Sequence, residues 1–330
     1  MSYQRLSQEE VCDRLLAFSS PQIVLHVRPD GDTVGAASAL ARAFISLGKQ
    51  PLLCCADPIP DRLAFLTEGL EVGAPQKGRE TVTVDVASCA QLGSLREILT
   101  GELAPHLQID HHERGEMMAD ALVEPHAAAA GEIVFSLLTA MEKEGKIPSL
   151  SPETLACLYA SISSDTGGFL FANTTPQTHR TAATLIERGV DAAKINRLLF
   201  ASHTEEELRA EATVINSIRT DCGGKIAYAF ITLAMREKEG LPEDAFETAV
   251  DIVRSLRSVE LAAVFKEIKP QIFKISLRAN KADVASIAAE FGGGGHRLAA
   301  GCTIPAENAE QAWKKITPYL KKALLNDENS

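Results

Sequence analysis

Short apolar runs alternate with longer amphipathic stretches through the first half of the chain. The runs predict five strands, at about 22–27, 51–55, 81–86, 106–109 and 121–123. The stretches carry apolar residues at helical spacing and predict helices at about 34–47, 94–100, 131–143 and 151–163. Because strands and helices alternate, we expect an α/β domain built on a doubly wound, parallel sheet.

The pattern changes in the second half of the chain. Residues 178–219 have a nearly continuous helical pattern that is interrupted near Gly189 and Ser202. Further strands are predicted at about 225–233, 259–267 and 271–279, with helices at about 244–256, 283–290 and 306–325. We therefore predict an N-terminal domain (1–189), a helical connector (190–220) and a smaller C-terminal α/β domain (221–330).

The composition and net charge of the chain argue against some classes of function. The chain has 330 residues, of which 45% are hydrophobic, and a formal net charge of −11. An acidic protein is poorly suited to bind long nucleic acid tracts, which require a broad basic surface. The seven cysteines are scattered without a CxxC pair, and the N-terminal residues include no apolar signal region. We therefore expect a reduced, cytoplasmic protein that does not insert into membranes.

Side chains of metal-ligand type follow three of the predicted strands. His26, Asp30 and Asp32 come after the first strand, Asp85 ends the third, and Asp110-His111-His112 ends the fourth. In an open parallel sheet, ligands bind beyond the carboxyl ends of the strands, so these three segments should converge on one crevice. Singly, each residue has a structural alternative, such as a helix N-cap, a core histidine or a solvated turn. Their shared position favours a functional site.

The chemistry of these side chains predicts a metal centre. With Asp165, which follows the helix at 151–163, the candidate aspartate ligands number four: Asp30, Asp32, Asp85 and Asp165. Crowded carboxylates repel each other, and two divalent cations would neutralise them. Carboxylate and imidazole ligands without thiolate favour Mn²⁺, with Mg²⁺, Co²⁺ or Fe²⁺ as alternatives, over structural zinc. Pairs of such ions commonly hold a hydroxide and the phosphoryl oxygens in phosphoester hydrolysis.

A run of glycines marks the predicted C-terminal domain. Gly292 to Gly295 precede His296, and successive glycine N–H groups can form an anion-binding nest. A flexible hinge is the alternative, although the small residues Ala299-Ala300-Gly301 indicate close packing. Residues 254–297 contain eight Lys or Arg and four acidic residues, so this region is locally basic. The candidates for contacting a phosphate are Arg257 and Arg278.

Taken in order, these motifs resemble those of the DHH phosphoesterase family, within it the two-domain nanoRNase and pAp-phosphatase-like proteins. The matching stretches are His26-Val-Arg-Pro-Asp30-Gly-Asp32, Asp85-Val-Ala-Ser88, Asp110-His111-His112, Asp165-Thr-Gly, Asn173-Thr-Thr-Pro176 and Gly292-Gly-Gly-Gly-His296. The Asp-His-His sequence alone is a weak signal. The complete ordered set spans essentially the whole chain and is specific.

The resemblance implies two metals bound by six residues. One metal would be held by His26, Asp30 and Asp85. The other would be held by Asp32, Asp85, His111 and Asp165, so that Asp85 bridges the pair. His112 would face the substrate phosphate, to stabilise it or to protonate the leaving oxygen, and Asp110 would orient a neighbouring histidine.

The resemblance also implies a role for the second domain. It would be a DHH-associated substrate-binding domain, and the active site would lie in the cleft between the domains. The residues that would hold the far end of the nucleotide are Arg278, Gly293, Gly294, Gly295 and His296. A narrow cleft would admit only short chains, which implies small substrates.

The sequence thus predicts a Mn²⁺-dependent phosphoesterase with a two-metal hydroxide mechanism. Its expected substrates are 3′-phosphoadenosine 5′-phosphate (pAp) and RNA or DNA oligonucleotides of a few residues. A soluble phosphodiesterase for cyclic di-AMP or linear dinucleotides on the same scaffold is the alternative. A non-catalytic nucleotide sensor fits less well, because every predicted ligand position is filled. The oligomeric state stays open, and a homodimer is compatible with the sequence.

Overall fold

The computed structural model describes residues 3–113, 115–246 and 248–328, with the backbone alone for Asp244, His296 and residues 326–328. The chain divides into two compact units, Met1–Ser202 and His203–Ser330. Residues 190–220, the predicted connector, fall partly in each unit. Within the described residues, no helix has both the length and the apolar character that crossing a membrane requires.

The first unit alternates strands with helices, as predicted. Its strands are β1 Pro21–Val24, β2 Leu52–Cys54, β3 Glu71–Val72, β4 Glu80–Val84, β5 Leu107–Asp110 and β6 Ala121–Val123. Its helices are α1 Gln8–Ala17, α2 Gly31–Ser46, α3 Ala64–Thr67, α4 Arg96–Leu99, α5 Ala130–Lys143, α6 Pro152–Asp165, α7 Pro176–Glu187 and α8 Ala192–Phe200. Short 3₁₀ helices cover Asp61–Leu63 and Cys89–Leu95.

The six strands of this unit form one parallel sheet in the order β3-β2-β1-β4-β5-β6. The predicted parallel α/β architecture is therefore confirmed. Successive side chains of a strand point to opposite faces, and the two faces of β1 fill two cores. Ile23 packs in the core formed with α1, α2, α5 and α6, whereas Val24 packs in a smaller core with Leu92 and Leu99. The order of the strands reverses between β1 and β4, where such sheets bind ligands.

The second unit contains a mixed sheet with helices. Its strands are β7 Arg219–Asp221, β8 Ile226–Ile231, β9 Leu261–Lys269, β10 Ile272–Ala279, β11 Gly294–His296 and β12 Ala299–Pro305. Its helices are α9 Glu205–Ser217, α10 Leu233–Glu239, α11 Ala249–Arg254, α12 Val284–Glu290 and α13 Ala309–Glu328, with 3₁₀ turns at Cys222–Gly224 and Asp244–Phe246. The strand order is β11-β12-β10-β9-β8-β7, and only β8 and β9 pair in parallel.

Candidate metal centre

The carboxyl ends of β1, β4 and β5 bring the predicted ligands together. His26 lies two residues beyond β1, Asp85 directly follows β4, and His111 directly follows β5. Asp165 is the last residue of α6. Parallel strands end at the same edge of their sheet, which explains why ligands that are distant in sequence become neighbours.

Helix α2 begins within the first motif, earlier than its predicted start at about residue 34. The helix begins at Gly31, so Asp32 lies in its first turn and Asp30 is its N-cap. The carboxylate oxygen Oδ1 of Asp30 accepts hydrogen bonds from the backbone N–H groups of Asp32 (2.9 Å) and Thr33 (3.2 Å). Asp30 therefore caps the helix and also belongs to the cluster, so the two explanations of this aspartate do not exclude each other.

Gly31 has a different physical role from the one its sequence suggests. A glycine between two aspartates suggests a sharp turn, but the backbone of Gly31 is that of the first helical residue and its φ is not positive. A Cβ at this position would collide with the side chain of Ser164 on α6. Glycine is thus required because α2 approaches α6 closely.

One ligand cluster joins the ends of β1 and β4. The Nε2 atom of His26 lies 3.6 Å from Oδ1 of Asp30 and 3.4 Å from Oδ2 of Asp85. One atom from each of these residues lies within 4.8 Å of the others, which is a spacing that a metal ion can bridge. These are the three residues implied for the first metal.

A second cluster joins α2, β5 and α6. The Nε2 atom of His111 lies 3.6 Å from Oδ2 of Asp32 and 3.8 Å from Oδ2 of Asp165. The ligand atoms of these three residues again lie within 4.8 Å of one another. Asp85 contacts this cluster too, because its Oδ1 lies 3.5 Å from the same His111 nitrogen. The position of Asp85 between the two clusters agrees with its implied role as a bridge.

Asp85 shows two signs of a site built for a cation. Its backbone adopts a left-handed conformation with φ of 60°, which is uncommon for a residue other than glycine and is tolerated by aspartate. Its side chain is buried, yet Oδ1 has no hydrogen-bond partner among the described residues. An unpaired carboxylate oxygen is costly to bury, and a bound cation would satisfy it.

His26 and His111 both turn Nε2, the ring nitrogen that would bind a metal, toward the carboxylates. Nδ1 of His26 donates to the carbonyl of Val27 (2.8 Å), and Nδ1 of His111 donates to the carbonyl of Ala127 (3.2 Å). These bonds place the proton on Nδ1 and leave the Nε2 lone pair facing the carboxylates. Metal-bound histidines are commonly oriented by a hydrogen bond from the other ring nitrogen. The donor set therefore fits two divalent cations.

The charges of the cluster shift its pKa values strongly. Burial lowers the pKa of His26, but the nearby Asp30 and Asp85 carboxylates outweigh it and raise the pKa to about 11. Burial raises the pKa of Asp32, and the neighbouring Asp85 and Asp165 carboxylates raise it further. Burial likewise raises the pKa of Asp165, to about 6. Bound cations would reverse these shifts, because they favour carboxylates and neutral imidazoles.

His112 lies at the edge of the site and is held by Asp110. Its Nδ1 donates to Oδ1 of Asp110 (2.8 Å), which also accepts from the backbone N–H of His111 (2.8 Å). Asp110 is buried, whereas the side chain of His112 is 39% exposed. The hydrogen bond with Asp110 raises the pKa of His112. The pair thus presents a partly exposed, oriented imidazole beside Asp85, whose Oδ1 lies 3.6 Å from the His112 Nδ1 atom.

Ser161 is a part of the site that sequence reasoning missed. Its hydroxyl donates to Oδ1 of Asp32, which also accepts from the N–H of Gly131 (3.1 Å). Ser161 is fully buried in the middle of α6, four residues before Asp165. A serine within a helix carries no sequence signal for this contact, since the contact depends on how α2 packs against α6.

The predicted substrate-binding residues lie in the second unit. Arg278 is on β10 and its Nε lies 3.9 Å from Oδ1 of Asp251, whereas Arg257 is exposed after α11. The side chain of His296 lies outside what the structure describes. The backbone places Gly294, Gly295 and His296 on β11. Arg278 on β10 pairs with Ala299 on β12, and Ala299 in turn pairs with His296 on β11.

Two of the glycines are required by packing within this sheet. A Cβ on Gly293 would collide with the carbonyl of Gly301, and a Cβ on Gly295 would lie 2.5 Å from the carbonyl of Ala299. The glycine run therefore packs closely against β12. Its role in binding an anion stays a prediction.

Comparison with known proteins agrees with this arrangement. The DHH family N-terminal domain matches residues 22–162, and the DHHA1 domain matches residues 223–322. Two relatives are each named bifunctional oligoribonuclease and PAP phosphatase NrnA. The one from Thermus thermophilus is 31% identical over 95% of this chain and 93% of its own length. The one from Bacillus subtilis is 25% identical over 84% of this chain and 87% of its own length.

A solved structure shares the fold. The crystal structure of an exopolyphosphatase-related protein from Bacteroides fragilis superposes with a TM-score of 0.84 at 22% identity, covering 97% of this chain and 95% of that one. The two domain matches lie in the two compact units, and a relative of 31% identity aligns over nearly the full length of both chains. This chain belongs to the DHH family and carries a DHHA1 domain in its C-terminal part.

Proposed function

We propose that this protein is a metal-dependent phosphoesterase that hydrolyses short oligonucleotides and pAp. The observation that carries the proposal is the arrangement of three overlapping groups of carboxylate and imidazole ligands around Asp85. The relatives from Thermus thermophilus and Bacillus subtilis are named for oligoribonuclease and PAP phosphatase activities. Mn²⁺ is the proposed ion, because the ligands are oxygen and imidazole nitrogen without thiolate.

The proposed roles follow from the positions of the side chains. His26, Asp30 and Asp85 would hold one cation, and Asp32, His111 and Asp165, with Asp85, would hold the other. When bound, such ions supply a nucleophilic hydroxide at neutral pH and neutralise the charge of the phosphoryl group.

Side chains of the protein would donate a proton to the leaving oxygen and would hold the distal part of the nucleotide. His112 is partly exposed and hydrogen-bonded to Asp110, so it is suited to donate a proton to the leaving oxygen. The Asp110 carboxylate fixes the ring and favours the protonated imidazole. In the second unit, Arg257, Arg278, Gly293, Gly294, Gly295 and the backbone of His296 are the proposed contacts to the distal part of the nucleotide.

The proposed substrates are small, which suits an acidic enzyme. The net charge of −11 disfavours long nucleic acid, whereas the basic region at 254–297 offers local attraction for a short anionic chain. Four buried cysteines, Cys12, Cys54, Cys157 and Cys302, carry free thiols, which agrees with the reducing environment of a cytoplasm.

A turnover panel tests the proposal. The metal-stripped protein is assayed with and without Mn²⁺ on pAp, on RNA of two to five nucleotides and on cyclic di-AMP. We expect Mn²⁺-stimulated release of mononucleotides from the short RNA and of phosphate from pAp. A preference for cyclic di-AMP would favour the phosphodiesterase alternative. Binding of these nucleotides without turnover in any metal would indicate a sensor and contradict the proposal.

A further inference from the structure

The segment Ala127–Gly131 comprises the end of the connection from β6 and the first two residues of α5, and its backbone contacts two ligands of one cluster. The carbonyl of Ala127 accepts the hydrogen bond from Nδ1 of His111 (3.2 Å). The N–H groups of Ala130 and Gly131 donate to Oδ2 and Oδ1 of Asp32, at 2.8 and 3.1 Å. The segment consists of four alanines and one glycine, so none of its residues offers a side-chain ligand to a metal.

The third ligand of the same cluster is joined to this segment by Asn173. The Nδ2 atom of Asn173 donates to the carbonyl of Ala128 (3.0 Å) and to Oδ2 of Asp165 (3.2 Å). One short segment of backbone therefore holds Asp32, His111 and Asp165. Among the described residues, this segment makes no hydrogen bond to His26, Asp30 or Asp85, which form the other cluster.

Glu132 holds this segment by a further hydrogen bond. Its Oε2 accepts a hydrogen bond from the N–H of Ala128 (2.9 Å), and the hydroxyls of Thr178 and Thr181 lie 3.4 and 3.5 Å from its carboxylate oxygens. The residue is only 8% exposed. No ion pair with a described residue compensates its burial, so three neutral donors stabilise a buried carboxylate. Such burial is costly and invites a functional explanation.

We propose that Glu132 is a positioning residue for one of the two metals. By fixing Ala128, it sets the carbonyl of Ala127 and the N–H groups of Ala130 and Gly131 against His111 and Asp32. The inference rests on the proposed function, because it takes the Asp32–His111–Asp165 cluster to bind a cation. A residue that only stabilised α5 would affect folding without distinguishing one metal from the other.

Three variants isolate this role. Glu132→Ala removes the acceptor for Ala128, whereas Glu132→Gln retains an oxygen of the same reach and an amide that can donate to a threonine hydroxyl. Glu132 also lines an open cavity together with Thr139 and Thr181, so truncation does not create a sealed void. Thr139→Val is the matched control on the same helix and cavity. The buried Thr139 hydroxyl has no hydrogen-bond partner among the described residues, and its loss should be neutral.

Metal binding is the decisive measurement, made by calorimetric Mn²⁺ titration of the full chain with bound ions counted independently. We expect the wild type to bind two Mn²⁺ ions. Glu132→Ala should retain one site and weaken the other about 10- to 100-fold, as removal of groups that orient metal ligands typically does. Glu132→Gln and Thr139→Val should bind like the wild type.

Several outcomes would overturn the inference. Unchanged affinity at both sites in Glu132→Ala, equal weakening of both sites, or a Glu132→Ala chain that fails to fold would each assign Glu132 a general structural role. Asn173→Ala tests the same segment from an exposed side chain, so folding is not at risk. It should weaken the same single site, and full affinity at both sites would contradict the inference. A wild type without Mn²⁺ binding would instead refute the proposed function itself.

Discussion

Asp85 combines a strained backbone, complete burial and an unpaired carboxylate oxygen. Its φ of 60° aims the side chain from the end of β4 toward His26 and His111 at once. Such conformations cost energy and persist where surrounding structure imposes them, often at functional sites. The choice of Asp85 as a candidate ligand follows from its position at a strand end. Its left-handed backbone was not predictable, since no glycine or turn sequence marks it.

The division of the ligands between two metals gives the first prediction. Asp30→Asn should weaken the metal held with His26, and Asp32→Asn the metal held with His111. Asparagine is chosen because it caps a helix as well as aspartate, so α2 should stay intact in the Asp30 variant. Mn²⁺ titration measures the two sites, with Asp57→Asn as a control outside the clusters. Equal loss of both metals from either ligand variant would refute the division.

Among the secondary-structure elements, prediction succeeded where the hydrophobic pattern was long. The runs at β1 and β4 and the helices α5 and α6 match their predicted positions closely, because buried strands and amphipathic helices have strong periodicity. The missed elements are short or depend on tertiary pairing. The strand β3 has two exposed residues, and β11 contains two glycines and gains strand geometry by pairing with β12.

The contact between Glu142 on α5 and Arg188 at the end of α7 gives a prediction about how the stability of the fold depends on pH. Arg188 on the carboxyl side of α7 donates to both carboxylate oxygens of Glu142, at 2.9 and 2.7 Å. Burial raises the pKa of Glu142, but the bonds from Arg188, Leu150 and Ser149 outweigh it and lower the pKa overall. A lowered pKa stabilises the fold above the unfolded value of about 4.3, and this contribution is lost as pH falls through the folded pKa.

Arg188→Ala should therefore lower the free energy of unfolding by about 1 kcal/mol at pH 7. The deficit relative to the wild type should be smaller at acidic pH, because the contribution of the ion pair is lost as pH falls through the lowered pKa of folded Glu142. Denaturant unfolding at neutral and at acidic pH measures both quantities. Arg180→Ala on the same helix is the control, because Arg180 bonds only to Gln177 among the contacts described here. If Arg188→Ala lowered the free energy of unfolding equally at both pH values, the ion pair between Arg188 and Glu142 would not be the source of the loss.

At the scale of the whole molecule, the predicted metal ligands and the predicted phosphate contacts fall in different units. All predicted metal ligands lie in the first unit, and the predicted phosphate contacts lie in the second. The family and the fold of each unit were predictable from motif order and strand pattern. The placement of the active site between the domains and the formation of a homodimer stay predictions.

This division predicts separate effects on metal and substrate binding. Arg278→Ala should raise the KM for pAp about 10- to 100-fold, since a charge-assisted hydrogen bond contributes roughly 1.5–3 kcal/mol. Mn²⁺ affinity should not change. Lys274→Ala is a matched control, because Lys274 is an exposed cation on the same strand, four residues away. An unchanged KM in Arg278→Ala, or a KM raised equally in both variants, would contradict the role of Arg278.

The central claim is that Asp85 joins two metal sites that hydrolyse a phosphoester. Its most direct test compares wild type and Asp85→Asn on pAp, after metal removal and after addition of Mn²⁺. Asparagine tolerates the left-handed backbone, so the fold should be retained. The account predicts hydrolysis only by the wild type with Mn²⁺, and at least about a 10²-fold loss in the variant. Hydrolysis by Asp85→Asn at the wild-type rate in Mn²⁺ would contradict it.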